Sequence, residues 1–235
     1  MPPNVPIYLK MPPIGFFVIE LVYSAIVVFL CFLIYFKTKE IYDLSKYRGI
    51  YHFRNAFLFL SFAYLVRFFI ASLAFSIQLF DPKVEVSQNE LLMVRSLILL
   101  ISYFSFMAIF SIACSLLWKK LESGILQHDV VLHAIALGLS SFIFLTRSYY
   151  LFILFHIALL PILILTAVIN YRSSEKRGPF ISQIYIIYFL LFAFWVVNIA
   201  FLPLRGLQIE VRIPFYAASV LIMSLIAYRV VKIVS

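Results

Sequence analysis

Three charged side chains stand deep inside long apolar stretches of this sequence: Glu20, Arg67 and Arg95. Ionisable groups in such surroundings are costly, so they are the first candidates for chemistry. Glu20 shares a helical face with Tyr23 and Ser24 at i+3 and i+4. Arg67 shares one with Ser61, Tyr64, Ala71 and Ala74, and Ser102 lies two turns beyond Arg95. At 1.5 Å per residue, Glu20 lies about 12 Å and Arg67 about 20 Å from one end of their helices. An arginine can reach across much of that difference. Glu20 is therefore expected to pair with Arg67 or Arg95. One carboxylate against two guanidiniums leaves an excess positive charge, suited to a carboxylate or phosphate group. His156, Trp195, Asn198 and Tyr216 fall at similar depth and extend this set into a candidate ligand pocket with Glu20, Tyr23, Tyr64, Arg67 and Arg95.

The elements that must position these groups are transmembrane helices. Of the 235 residues, 65% are hydrophobic and 12% charged, against roughly 45–50% and 25% in a soluble domain. A soluble globule cannot hide that much apolar surface. Disorder and nucleic-acid binding are excluded on the same ground, even at a net charge of +9. Apolar runs of about 20 residues each define a span. Seven are expected, at approximately 14–36, 55–80, 91–118, 129–146, 149–170, 181–204 and 213–233. The fold class is an all-α, seven-helix membrane bundle, one domain over 14–235 preceded by a tail over 1–13. The tail has five prolines, one lysine and no signal-peptide pattern.

Proline placement agrees with these boundaries. Pro12, Pro13, Pro82, Pro179, Pro203 and Pro214 sit at span ends, where a missing amide costs least. Pro161 alone falls inside a span and is expected to kink the fifth helix. The tight Thr146–Tyr149 turn predicts that the fourth and fifth helices form an antiparallel pair.

Twelve basic residues fall in one set of loops: Lys37, Lys39, Lys46, Arg48, Arg54, Lys119, Lys120, Arg172, Lys176, Arg177, Arg229 and Lys232. Five fall in the other: Lys10, Lys83, Arg147, Arg205 and Arg212. The positive-inside rule then places the N-terminus outside, the C-terminus in the cytoplasm and the pocket facing outward, in a cell membrane. The segment Lys37–Arg54 interleaves aromatic and aliphatic residues with lysines and arginines. It is expected to lie in the inner headgroup layer, or to dock a membrane or cytoplasmic protein partner.

A repeat is suggested by FLFLSFAYLVRF at 59–70 and FLLFAFWVVNIA at 189–200, and by the Val94-Arg95 and Val211-Arg212 pairs. It would relate spans 1–3 to spans 5–7 around a linker helix. In outline the topology resembles microbial rhodopsins, but no lysine stands mid-span in the seventh helix. It is also similar to small sugar-transporter-like proteins with three-plus-one-plus-three repeats, without their Pro-Gln signature.

Cys31 and Cys114 read as small buried residues. Asp129 and His133, with His128 and His52 nearby, have i, i+4 chelating spacing, but Asp129 reads better as the first-turn acid of the fourth helix. No metal, cofactor or catalytic residue is expected, and phosphate-loop, zinc-protease and nucleophile-elbow motifs are absent. The expected function is binding of a small anionic or zwitterionic ligand for transport or sensing. A non-catalytic accessory subunit and a seven-helix receptor with a separate cytoplasmic effector are the alternatives. An enzyme is not expected.

Overall fold

The computed structural model describes residues 14–80, 88–121, 128–146, 148–174, 179–201 and 209–234. All its regular elements there are helices: α1 (Ile14–Ser45), α2 (Arg48–Phe80), α3 (Gln88–Leu121), α4 (Asp129–Thr146), α5 (Tyr149–Ser174), α6 (Pro179–Phe201) and α7 (Ile209–Val234). Five of them, α1, α2, α3, α4 and α7, are long and apolar enough to cross a membrane by length and composition. In α5 and α6 the apolar stretches over described residues are shorter, Tyr150–Leu165 and Tyr185–Ile199. The tail over 1–13, and Pro82, Lys83, Arg147, Lys176, Arg177, Pro203 and Arg205, lie outside the described residues.

Contacts run α1–α2–α3–α5–α6–α7 and close from α7 back onto α1. The outcome is a ring of six helices, with α4 set against the outside of α3. Small residues let α2 seat between its neighbours: Ser61, Ala63 and Ala71 are buried on it. The outer surface is apolar, with Phe29, Leu145 and Leu221 all more than 60% exposed. Polar groups are found inside instead: Glu20, Ser24, Ser61, Ser102, Ser140, His156 and Ser219 are buried. Apolar outer faces with polar groups turned toward neighbouring helices are compatible with a helical membrane bundle.

Three expectations need correction. First, Lys37–Arg54 is not a separate surface segment. α1 continues to Ser45 and α2 begins at Arg48. The charges that looked like loop residues support helix, through Lys37–Glu40 at 3.4 Å and Lys46–Asp43 at 3.6 Å, both i, i+3. The reversal is confined to the residues around Lys46, whose φ of 50° is left-handed and whose amide closes α1 onto the Tyr42 carbonyl at 2.7 Å. Arg54 then packs its guanidinium over the rings of Tyr35, Tyr42 and Tyr51, locking α1 to α2. Second, α7 starts at Ile209, so Pro214 lies inside it and Arg212 belongs to the helix, not to a loop. Pro214 is the sixth residue of α7, past the four amides that have no intrahelical acceptor, so it forfeits one i→i−4 hydrogen bond in the second turn. Third, α4 makes its main contact with α3 and meets α5 sparsely. Side chains bridge the gap, as where the Phe142 and Phe155 rings come to 6.4 Å.

Toward the ends of α1 and α7 the interior is solid. Val27, Cys31, Ile34, Phe57, Ile109, Met223 and Ile226 are at most 1% exposed and pack in one cluster. Cys114 sits in a second cluster with Leu132, Ala136 and Phe152. Neither cysteine is in a disulfide. Both thiols are expected to resist a water-soluble maleimide in the folded protein and to react after unfolding in hot SDS. Rapid labelling of Cys31 in the folded bundle would contradict this packing.

Candidate functional site

The interior loosens at the end where α1, α3, α5 and α7 begin. A cavity of about 680 Å³ opens there between six helices, α4 excepted. That volume is within the usual range for a small-molecule site, roughly 300–1,000 Å³. Its walls are apolar, from Phe17, Leu60, Ile70, Ile98, Ile101, Phe194 and Ile199. Polar side chains converge on it from α1 (Glu20), α2 (Tyr64, Arg67), α3 (Ser102, Ser105), α5 (His156), α6 (Trp195, Asn198) and α7 (Arg212).

Glu20 is the electrostatic centre. Its carboxylate accepts a hydrogen bond from Arg67 Nε on one oxygen and from the Tyr216 hydroxyl on the other. The carboxylate is thereby tied to α2 and α7 at once. Arg67 is Glu20's partner in the structure, rather than Arg95. The Arg67 guanidinium also lies over the Tyr23 and Tyr64 rings, at 5.2 and 5.5 Å. Its side chain keeps 19% exposure, so it faces the cavity while paired. Such a charge is held by ion pairing and aromatic faces together, which offsets its loss of hydration.

Immediately beneath lies a neutral hydrogen-bonded network. Asn198 Oδ1 accepts from the hydroxyls of Tyr23, at 2.8 Å, and Tyr64, at 2.7 Å. Asn198 Nδ2 donates to the Phe194 carbonyl at 2.8 Å and to Ser219 Oγ at 2.9 Å. The Phe194 carbonyl can only accept, which fixes the orientation of the amide. With both tyrosine protons directed at Asn198, the Ser219 hydroxyl donates to Tyr23 across 2.8 Å. Four helices, α1, α2, α6 and α7, meet in this network. It floors the cavity where the solid apolar cluster begins.

His156 is 1% exposed; its ring stacks on Phe106 at 4.9 Å and meets the tilted Phe152 ring at 4.2 Å. Its Nδ1 is 2.7 Å from the Phe152 carbonyl. Trp195, 6% exposed, lies beside it with ring centroids 5.8 Å apart.

Eight of the nine expected site residues are therefore gathered. Glu20, Tyr23, Tyr64, Arg67, Asn198 and Tyr216 share bonded contacts, and His156 and Trp195 line the same cavity. Arg95 is half-buried and is not among the lining residues. Arg212 takes the place expected of it. It is 5% exposed, lines the cavity and sets its guanidinium 4.3 Å from the Phe16 ring centroid. Its signal in the sequence was the Val-Arg pair, masked by placing the helix start at 213. Tyr188, also on α6, meets Ser115 Oγ at 2.7 Å and is not among the lining residues of the cavity.

The second polar cluster is at the opposite end. Asp129, in the first turn of α4, accepts from the Tyr51 hydroxyl at 3.2 Å and lies 4.0 Å from His52 Nδ1. His133 turns away to the Tyr103 hydroxyl at 2.7 Å. Among the described residues no three of His, Cys, Asp and Glu come together as metal ligands.

Fold and site define a bundle of long apolar helices around an apolar-walled cavity on which a few polar side chains converge. No family model matches the chain, and no solved structure matches it. An uncharacterized protein of Archaeoglobus fulgidus is 37% identical over 235 residues, which cover 98% of each chain. The chain belongs to the same family as that archaeal protein.

Proposed function

We propose that this is a seven-span integral membrane protein whose cavity binds a small anionic or zwitterionic ligand, for transport or sensing. The observation that carries this reading is the charge at the cavity wall. Two guanidiniums, Arg67 and Arg212, face one carboxylate, Glu20. A lining with two guanidiniums to one carboxylate favours a carboxylate or phosphate group on the ligand. The apolar walls supply contact area, and the few polar groups orient the guest. With the N-terminus outside, as the basic-residue distribution argues, the cavity faces outward and the solid apolar end faces the cytoplasm. A cavity open at one end and closed at the other suits one state of a carrier or the resting state of a sensor.

Native mass spectrometry of the protein released gently from its own membrane tests this. The expected spectrum has a small bound mass that disappears in Arg67→Ala. A bare chain with a stoichiometric second polypeptide would overturn the ligand reading in favour of an accessory subunit.

A further inference from the structure

Among the described residues, the cavity lining runs from Leu60 to Ala74 on α2 and from Val94 to Ser105 on α3. At 1.5 Å per residue these walls are about 21 Å and about 16 Å long. A compact pocket of the same volume would be only about 11 Å across. The cavity is therefore drawn out along the helices. Its length is close to the roughly 15 Å that one leaflet contributes to a hydrocarbon core of about 30 Å.

Its charge is one-sided as well. Every carboxylate and guanidinium in the described lining comes from α1, α2 or α7, as Glu20, Arg67 and Arg212. From α3 come the apolar Val94, Ile98 and Ile101, and the Ser102 hydroxyl donates back to the Ile98 carbonyl at 2.8 Å. Beyond Arg67, toward the mouth, α2 adds Ile70 and two alanines, Ala71 and Ala74. A molecule polar on all its faces would leave groups unpaired against these surfaces, which is costly. A ligand charged at one end and apolar along the rest meets both walls on their own terms. We propose that the ligand is a single-chain anionic amphiphile, with its carboxylate or phosphate at Arg67 and Arg212 and its hydrocarbon chain laid along α3. This inference rests on the anion-binding reading above and narrows it.

The test is saturation binding of radiolabelled dodecanoate and dodecyl phosphate to the full chain in phosphatidylcholine nanodiscs, with empty discs subtracted. One long-chain anion is expected to bind per protein, and the tighter of the two names the head group. Each methylene that leaves water for an apolar wall adds about fourfold in affinity, so butyrate and butyl phosphate should bind at least about tenfold more weakly. Dodecanol, which lacks the charge, should compete about tenfold more weakly too. Ala74→Phe and Ile98→Trp add bulk at half-buried lining positions. Each should weaken the long-chain anion about tenfold, and either one decides the matter if the other fails to fold. Short anions that bind as tightly as long ones overturn the inference, as does long-chain binding unchanged in both bulky variants. In either case anion binding that weakens in Arg67→Gln leaves the anion reading standing. Dodecanol competing as well as the acids, or no saturable binding of any of the four anions, removes the anion reading and this inference with it.

Discussion

Arg67→Gln is expected to cost about 3 kcal/mol of stability, because it removes the guanidinium that is hydrogen-bonded to the buried Glu20 carboxylate. Glu20 is 7% exposed and keeps the hydrogen bond from the neutral Tyr216 hydroxyl. Glu20→Gln strands a guanidinium instead, but Arg67 keeps the two tyrosine faces and some access to the cavity. Its loss should be the smaller of the two, about 2 kcal/mol. The double variant should fall short of the sum by about 1–3 kcal/mol, as for neighbours in one buried network. Unfolding of all four proteins in the same bilayer mimetic measures this cycle. Strictly additive losses would contradict a direct Glu20–Arg67 pair. The same set separates stability from binding. If the double variant folds nearly as well as the single ones but holds no anion, the pair's charge serves the cavity as well as the fold.

That pairing was legible in the sequence because charges within apolar spans are scarce. With three candidates, and depth set by the helical rise, Glu20 had two possible partners. What separated Arg67 from Arg95 is the neighbour relation of α1, which packs along α2 and closes on α7. Helices that are apolar all round carry little pattern to say which face meets which neighbour. The order of the ring, and the exclusion of α4 from it, were therefore invisible, although Tyr23, Tyr64, Asn198 and Tyr216 could each be picked out by type and depth. Arg212 and Lys37–Arg54 failed for a related reason. Composition marks where the hydrocarbon ends, and a helix need not end there. Thr38 illustrates the continuation: it is buried in α1 past the last apolar turn, its hydroxyl satisfied by the Ile34 carbonyl at 2.7 Å.

Asn198→Leu is the other substitution expected to have a large effect, about 2 kcal/mol. The residue makes four side-chain hydrogen bonds, and three of them reach other helices: Tyr23 on α1, Tyr64 on α2 and Ser219 on α7. Interhelical hydrogen bonds in bilayers are worth about 0.6 kcal/mol each on average, so the three together account for most of that loss. Leucine has a similar size, so the change should come from the lost bonds rather than from a void. The partners differ in what they can do next. Tyr23 retains Tyr64 and Ser219 within reach, whereas Tyr64 loses the acceptor of its own proton and must turn to Tyr23. Ser219→Ala removes one interhelical donor to Tyr23 and the acceptor of Asn198 Nδ2, and should cost about 1 kcal/mol, half as much. Unfolding measurements on both variants test this order. An Asn198→Leu protein as stable as wild type would mean that the four helices are held by packing alone. The network would then be retained for the cavity it floors, and the variant should lose ligand while keeping its fold.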